Sequence, residues 1–262
     1  MIEIKSVQRL LFFLIGCLIM HDAFAADRVQ ALVLKQLSNH PLPEPFVKRV
    51  FFDSHISLDN KKIIESKMRT QQLFDGPSPE FYRERIANGI KFYAQYKKLL
   101  HSIAHSYGIN PFVILAIIGV ETNYGAFLGR HKIMDALYTR AVTEPEQRKN
   151  AVKELAEFLR YCHERKIDPH SIVGSYAGAF GYGQFLPSSF NYYGISHSNN
   201  KYPRHDSWSD TIASIANYLK KHGYCNYDKQ SVSRAIQAYN HRSEYVVLVI
   251  RLSAMLGKTL KS

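Results

Sequence analysis

The strongest constraint on the fold is an unbroken apolar stretch, Phe112-Val-Ile-Leu-Ala-Ile-Ile-Gly-Val120, set directly behind Asn110-Pro111. Asn is a good helix N-cap and Pro suits the first helical position, so the stretch reads as a helix. A helix that is apolar on every side has to be enclosed by other elements. The rest of the chain supplies helices for this and few strand signals. Ser78-Pro79 repeats the start signal, and Ile86, Ile90, Tyr93 and Leu100 share one helical face behind it. Thr143 with Glu146 reads as a capping box before a stripe of Val152, Leu155, Leu159 and Cys162. Asp210 is expected to open a helix through Ile212, Ile215 and Leu219, closed by Lys220, Lys221, His222 and Gly223. Val232, Ala235, Ile236 and Tyr239 give a short amphipathic helix, and Ser243 is expected to cap a last one ending at Gly257. Within it, Tyr245-Val-Val-Leu-Val-Ile250 is strand-like by propensity, but its helical surroundings favour helix. Loops are expected at 74–77, 174–188 and 194–208. The expected architecture is mostly α, with residues 26–75 as an amino-terminal helical extension and 76–262 as the catalytic domain.

Composition narrows the partners. The 262 residues carry 34 Lys and Arg against 22 Asp and Glu, a net charge of +12, which favours an anionic polymer. Nucleic acid is disfavoured: no helix-turn-helix, zinc-finger or RNA-binding signature is present. Lys5 and Arg9 precede an apolar run from Leu10 to Met20, and Ala23-Phe24-Ala25 follows. This pattern is a secretory signal peptide over residues 1–25, cleaved after Ala25, and implies a periplasmic protein. Leu14-Ile-Gly-Cys17 is the competing reading, a lipobox that would place an outer-membrane lipid anchor on Cys17. Export leaves Cys162 and Cys225, and two readings stay open for them: one disulfide or two separate thiols. His101 and His105 have a spacing that metals use, but Ser102 stands where a zincin needs Glu, so a packed or solvated pair is the better reading.

Three segments can carry chemistry. Glu121 ends the apolar helix, where desolvation and the negative end of the helix dipole both raise a carboxyl's pKa. A carboxylic acid kept protonated near neutrality is what general-acid cleavage of a glycosidic bond requires. Alone, such a Glu is more often an idle helix-end residue. Gly174-Ser-Tyr-Ala-Gly-Ala-Phe-Gly-Tyr-Gly-Gln-Phe-Leu-Pro-Ser-Ser189 lets backbone approach a ligand closely, yet lacks the Lys and the preceding strand of a phosphate loop. Tyr239-Asn240 offers a ring for sugar stacking and an amide for an acetamido group.

In this order, Gly119-Val-Glu-Thr-Asn-Tyr-Gly125, the glycine-rich segment, Ile215-Ala-Asn-Tyr-Leu-Lys-Lys-His-Gly223 and Ala238-Tyr-Asn-His241 resemble the membrane-bound lytic murein transglycosylase B family over roughly residues 80 to 256. The resemblance implies a lysozyme-like helical fold with Glu121 as the single catalytic acid and base. It implies that Ser175, Gln184, Tyr239, Asn240 and Tyr245 line the site, with Tyr82 as a weaker match. The implied substrate is peptidoglycan glycan strands, cut between N-acetylmuramic acid and N-acetylglucosamine without hydrolysis, with no cofactor. Other cell-wall enzymes are the implied partners. Family members can carry an acidic calcium loop between the glycine-rich motif and the Trp. Residues 194–208 lack the spaced acids and central Gly of an EF-hand, so no calcium and no other metal is expected there. Longer members also insert a small β-rich segment where only Tyr224 to Ala238 stands here. A hydrolytic muramidase and a non-catalytic wall-binding protein are the rival functions.

Overall fold

The computed structural model describes residues 27–52, 64, 65, 68, 71, 76–197 and 199–261. The expected signal peptide, its expected cleavage site and Cys17 lie outside these residues. The helices are α1 (27–36), α2 (Glu44–Phe52), α3 (Pro79–Tyr107), α4 (Pro111–Thr122), α5 (Ile133–Thr143), α6 (Arg148–Arg165), α7 (Pro187–Tyr193), α8 (Trp208–Lys221), α9 (Lys229–Tyr239) and α10 (Ser243–Lys261). Two short strands, β1 (His131–Lys132) and β2 (Val173–Gly174), pair antiparallel with His131 opposite Gly174 and Lys132 opposite Val173. Packing divides the chain into two compact units, one within Met1–Leu58 and Met134–His170, the other within Asp59–Ile133 and Ser171–Ser262. The expected division places 134–170 in the catalytic segment; here those residues group with the amino-terminal helices.

In the first unit the stripe Val152, Leu155, Leu159 and Cys162 is buried as its spacing requires. Phe46 meets His163 and Phe51 meets Tyr138 edge-on, at centroid distances of 5.0 and 6.2 Å. The expected capping box does not form. Thr143 is the last residue of α5 and donates its hydroxyl to the Thr139 carbonyl at 2.8 Å. Arg148 instead satisfies the end of α5, its guanidinium donating to the carbonyls of Ala141 and Val142 at 2.8 and 3.2 Å. Cys162 and Cys225 are both free, the first buried and the second exposed. Burial pushes the Cys162 thiol far up, so it stays protonated and unreactive.

The second unit is built around α4, as its apolar surface demands. From Phe112 to Val120 every residue is buried, with α10, α3 and α8 packed against it. Asn110 accepts from the Phe112 N–H at 3.0 Å and Ser78 from the Phe81 N–H at 3.2 Å, the two caps read from sequence. The β-branched run after Tyr245 is helical, because Tyr245, Leu248, Val249, Leu252 and Leu256 at helical spacing bury against neighbouring helices. Two expectations fail here. Ile90 is 39 % exposed; the inward face of α3 runs instead through Gly89, Phe92, Tyr93 and Leu100. The face is set by Gly89, where the ring of Tyr124 and the side chain of Leu256 come too close for any Cβ. Gly257 does not end α10, which continues to Lys261; a Cβ there would make only ordinary contact with the Phe112 ring, at 3.4 Å. His101 and His105 are exposed on α3, and His101 shares a 2.9 Å hydrogen bond with the Tyr93 hydroxyl. Among the described residues no cluster of His, Cys, Asp and Glu could hold a metal, and no single helix is long and apolar enough to cross a membrane.

Candidate active site

Glu121 stands on the last turn of α4, where the chain makes an abrupt exit. Asn123, Tyr124 and Gly125 all take left-handed backbone, with φ of 49°, 60° and 87°. Two non-glycine residues in that region cost energy that the surroundings must offset. The Asn123 amide donates to Glu84 Oε1 at 2.9 Å and accepts from Asn88 at 3.2 Å. The Thr122 hydroxyl donates to the Tyr182 carbonyl at 3.1 Å and accepts from the Gly125 N–H at 3.1 Å. These bonds fix the turn, and with it the direction of the Glu121 side chain.

Tyr245, from the first turns of α10, donates its hydroxyl to Glu121 Oε1 at 2.6 Å. The Tyr239 ring, at the end of α9, lies parallel to that of Tyr245 with centroids 6.5 Å apart. Tyr239 donates to the Gly183 carbonyl at 2.6 Å, which joins this pair to the glycine-rich segment. Tyr218 of α8 meets Tyr239 edge-on at 5.0 Å and donates to the Ala238 carbonyl at 2.6 Å. Burial raises the Glu121 carboxyl to about 7, opposed by the Tyr245 hydrogen bond; no neighbouring carboxylate contributes. Burial, seconded by the Glu121 charge, holds Tyr239 and Tyr245 far above ordinary phenols, so both remain neutral donors. The result is one titratable carboxyl near neutrality in a sheath of protonated tyrosines.

The glycine-rich segment forms the adjoining wall. Gly174 bridges Phe180, and Phe180 bridges Phe185, which folds the loop on itself. Ser175 closes its tip: the hydroxyl accepts from the Ala179 N–H at 3.1 Å. Gln184, with φ of 48°, donates its amide to the carbonyls of Gly181 and Leu128 at 2.9 and 3.3 Å. Asn240 follows Tyr239 as the α9 C-cap, half-buried, its side-chain oxygen accepting from the Arg242 N–H at 3.3 Å. Tyr82 is not brought to the tyrosine group; it is buried on α3, with Phe81 at 5.4 Å and the Arg251 guanidinium 4.7 Å over its ring. The structure thus joins Glu121, Tyr239 and Tyr245 directly, and ties the loop of Ser175 and Gln184 to them through Gly183.

Two further residues support the site without having been expected there. Tyr218 backs Tyr239, and its only signal was its place in the 215–223 stretch. Asp210 does not open α8; Ser207 is the N-cap, accepting from the Asp210 N–H at 3.4 Å. Asp210 turns inward, fully buried, and accepts from the backbone N–H groups of His197 and Arg204 at 2.9 and 2.8 Å. It thereby organises the loop over 194–207, which holds the glycine-rich wall from behind: the Tyr182 N–H donates to the His205 carbonyl at 3.0 Å, and Tyr182 stacks on Trp208 at 3.8 Å. Replacing Asp210 by Asn would aim a donor at one of those N–H groups. The expected cost is about 2 kcal/mol of stability, measured by thermal or denaturant unfolding; an unchanged midpoint would refute this role.

The family model for the transglycosylase SLT domain matches residues 25–233. Membrane-bound lytic murein transglycosylase B of Escherichia coli is 37% identical over 155 residues, which span 59% of this chain and 43% of that protein. The chain therefore spans less than half the length of that curated relative. Soluble lytic transglycosylase SltB1 of Pseudomonas aeruginosa superposes with a TM-score of 0.76 at 22% identity, over 90% of this chain and 100% of that one. SltB3 of the same organism, solved in complex with NAG-NAM-pentapeptide, gives 0.72 at 19% identity over 89% of this chain and 79% of that one. These likenesses establish the fold, which is the mostly helical, lysozyme-like one that the motifs implied. With that match running through the Glu121, glycine-rich and α8 motifs alike, the chain belongs to the transglycosylase SLT domain family.

Proposed function

We propose that this chain is a lytic transglycosylase that cuts the β-1,4 bond between N-acetylmuramic acid and N-acetylglucosamine in peptidoglycan. The observation that carries this is the Glu121 carboxyl, raised to about 7 by desolvation and held by Tyr245, with no second carboxylate among the described residues acting on it. Protonated Glu121 delivers its proton to the bridging oxygen as the bond to the anomeric carbon breaks. The muramoyl acetamido group assists at that carbon. The carboxylate left on Glu121 then takes the proton of the same sugar's 6-hydroxyl, whose oxygen closes on the anomeric carbon as a 1,6-anhydro ring. One carboxyl serves both steps, where hydrolytic glycosidases use two. The neutral Tyr245 hydroxyl stabilises the carboxylate stage and orients the acid stage. In this reading Ser175, Gln184, Tyr239, Asn240 and Tyr245 border the sugar-binding groove. The E. coli relative's name, and SltB3 solved with a NAG-NAM-pentapeptide, support peptidoglycan as the substrate.

The place of action follows from the same reading: the periplasm, reached through the signal peptide of residues 1–25, or the outer membrane if Cys17 carries a lipid. Other cell-wall enzymes are the partners this implies. The test is mass spectrometry of the soluble fragments that the protein releases from intact peptidoglycan. Products one water lighter than hydrolytic muropeptides, and resistant to borohydride, are expected. Reducible full-mass products would establish the hydrolytic muramidase instead. Binding without products would leave a non-catalytic wall-binding protein.

A further inference from the structure

The turn that follows Glu121 leads into a short rigid loop whose exposed side chains take no part in the reaction just described. Its backbone is fixed at several points: the Phe127 N–H donates to the Thr122 carbonyl at 3.0 Å, and Gln184 donates to the Leu128 carbonyl at 3.3 Å. At Gly129, with φ of 100°, the backbone presses so closely on Gly174 that a Cβ would collide with its carbonyl. The chain then pairs as β1 with β2, the strand leading into the glycine-rich segment. This loop therefore lies along the margin between the Glu121 turn and the Ser175 tip.

Its surface combines apolar and cationic groups. Phe127 is 53% exposed, Val173 opposite Lys132 is 43% exposed, and Leu186 at the far end of the glycine-rich segment is 36% exposed. Arg130 and Lys132 are exposed. Elsewhere Arg140, Arg160 and Arg204 pair with nearby carboxylates. Among the described residues neither Arg130 nor Lys132 has an ion pair; the Arg130 guanidinium sits 5.7 Å from the Phe127 ring. Arg130 beside the exposed Phe127 ring and Lys132 opposite the exposed Val173, on backbone already ordered, form a surface for an anionic group with apolar flanks.

We propose that Arg130 and Lys132, with Phe127 beside Arg130, bind the carboxylates of the stem peptide and make this a subsite selective for peptide-bearing strands. The inference rests on the lytic transglycosylase reading and names the part of the substrate that reading leaves open. In peptidoglycan the peptide hangs from the lactyl ether of the muramoyl residue, the sugar whose bond is cut, so its carboxylates fall beside the catalytic turn. A strand stripped of peptide keeps only the lactyl carboxylate, held close to the sugar ring, whereas the peptide carries its carboxylates farther out, where these cations stand. A fixed loop loses little entropy on binding.

The experiment compares kcat/KM on two substrates: intact peptidoglycan strands, and the same strands stripped of peptide by an amidase. The double variant Arg130→Ala/Lys132→Ala is expected to lose roughly five- to tenfold on peptide-bearing strands, the sum of two exposed charge contacts. On stripped strands it should stay within about twofold of the parent, and the parent's advantage should shrink as salt rises. Arg130→Lys should restore part of the loss. A second measurement is calorimetric binding of NAG-NAM-pentapeptide and of NAG-NAM to the Glu121→Gln protein, with and without the double substitution; only pentapeptide binding should weaken. Equal losses on both substrates, no loss on either, or a parent protein indifferent to peptide would each overturn the subsite alone. A parent protein that cuts neither substrate would remove the lyase reading and the subsite with it.

Discussion

Glu121→Gln loses cleavage by about a thousandfold or more, and the same protein melts above the parent at pH 8. The first effect follows from removing the only proton donor and acceptor of the proposed reaction; positioned acid and base groups contribute 10²–10⁴-fold. Gln keeps the shape, and its side-chain oxygen still accepts from Tyr245, so strand binding survives. The second effect follows from linkage. The parent carboxyl titrates near its ordinary 4.5 in the unfolded chain and at about 7 in the fold. Below pH 4.5 both states are protonated and Glu121 costs nothing. As pH rises from 4.5 to 7 the unfolded chain ionises first, and the native state loses stability progressively. Above 7 the full penalty stands, up to about 3 kcal/mol for a shift of this size. Gln carries no charge at any pH and escapes it. The difference in melting temperature between variant and parent should therefore open between pH 4.5 and 7 and level off above. A variant that cuts normally would exclude Glu121 as the acid; a pH-independent difference would exclude its burial as the cause of the raised pKa.

Tyr245→Phe is expected to shift the pH dependence as well as the rate. The proposed first step needs protonated Glu121, so activity should fall on the alkaline side with a midpoint near 7. The Tyr245 hydrogen bond favours the carboxylate and is the opposing, lowering influence on that group. Removing the hydroxyl leaves burial unopposed, so the alkaline midpoint moves to higher pH. The rate at pH 6 should drop roughly ten- to a hundredfold, since a hydrogen bond to a charged group is worth about 1.5–3 kcal/mol. Lost rate without a shifted midpoint would mean that Tyr245 only fills space. A midpoint moving downward would contradict the sign of the hydrogen bond. Kinetics across pH on stripped glycan strands read both quantities.

Legibility differed from residue to residue. The Ser78 and Asn110 caps, the enclosed helix ending at Glu121 and the stripe from Val152 to Cys162 were readable because each depends on neighbours within a few positions. The helical state of Tyr245–Ile250 was also readable, though against its own propensity. Thr143 and Asp210 were misjudged as helix openers because each has a competing partner: the Thr139 carbonyl for one, the N–H groups of His197 and Arg204 for the other. Ile90 was misjudged because glycine carries no signal of which face it belongs to, and Gly89 sets the inward face of α3.

Apart from α5 and α7, which carry no clear cap or stripe, the helices of residues 79–261 were legible in the sequence, as were the family motifs around Glu121, residues 174–189 and Tyr239-Asn240. These are short-range properties of caps, periodicity and turn chemistry. What only the tertiary structure decided is which side chains meet: Tyr245 reaching Glu121 across 124 positions, Tyr239 reaching Gly183, and Asp210 holding a loop rather than a helix start. The direction of the Glu121 shift was legible from its place at the end of an apolar helix; its extent, to about 7, belongs to this second set. Desolvation is a property of everything packed around a group, and the atoms that dry Glu121 arrive from helices far away in the chain.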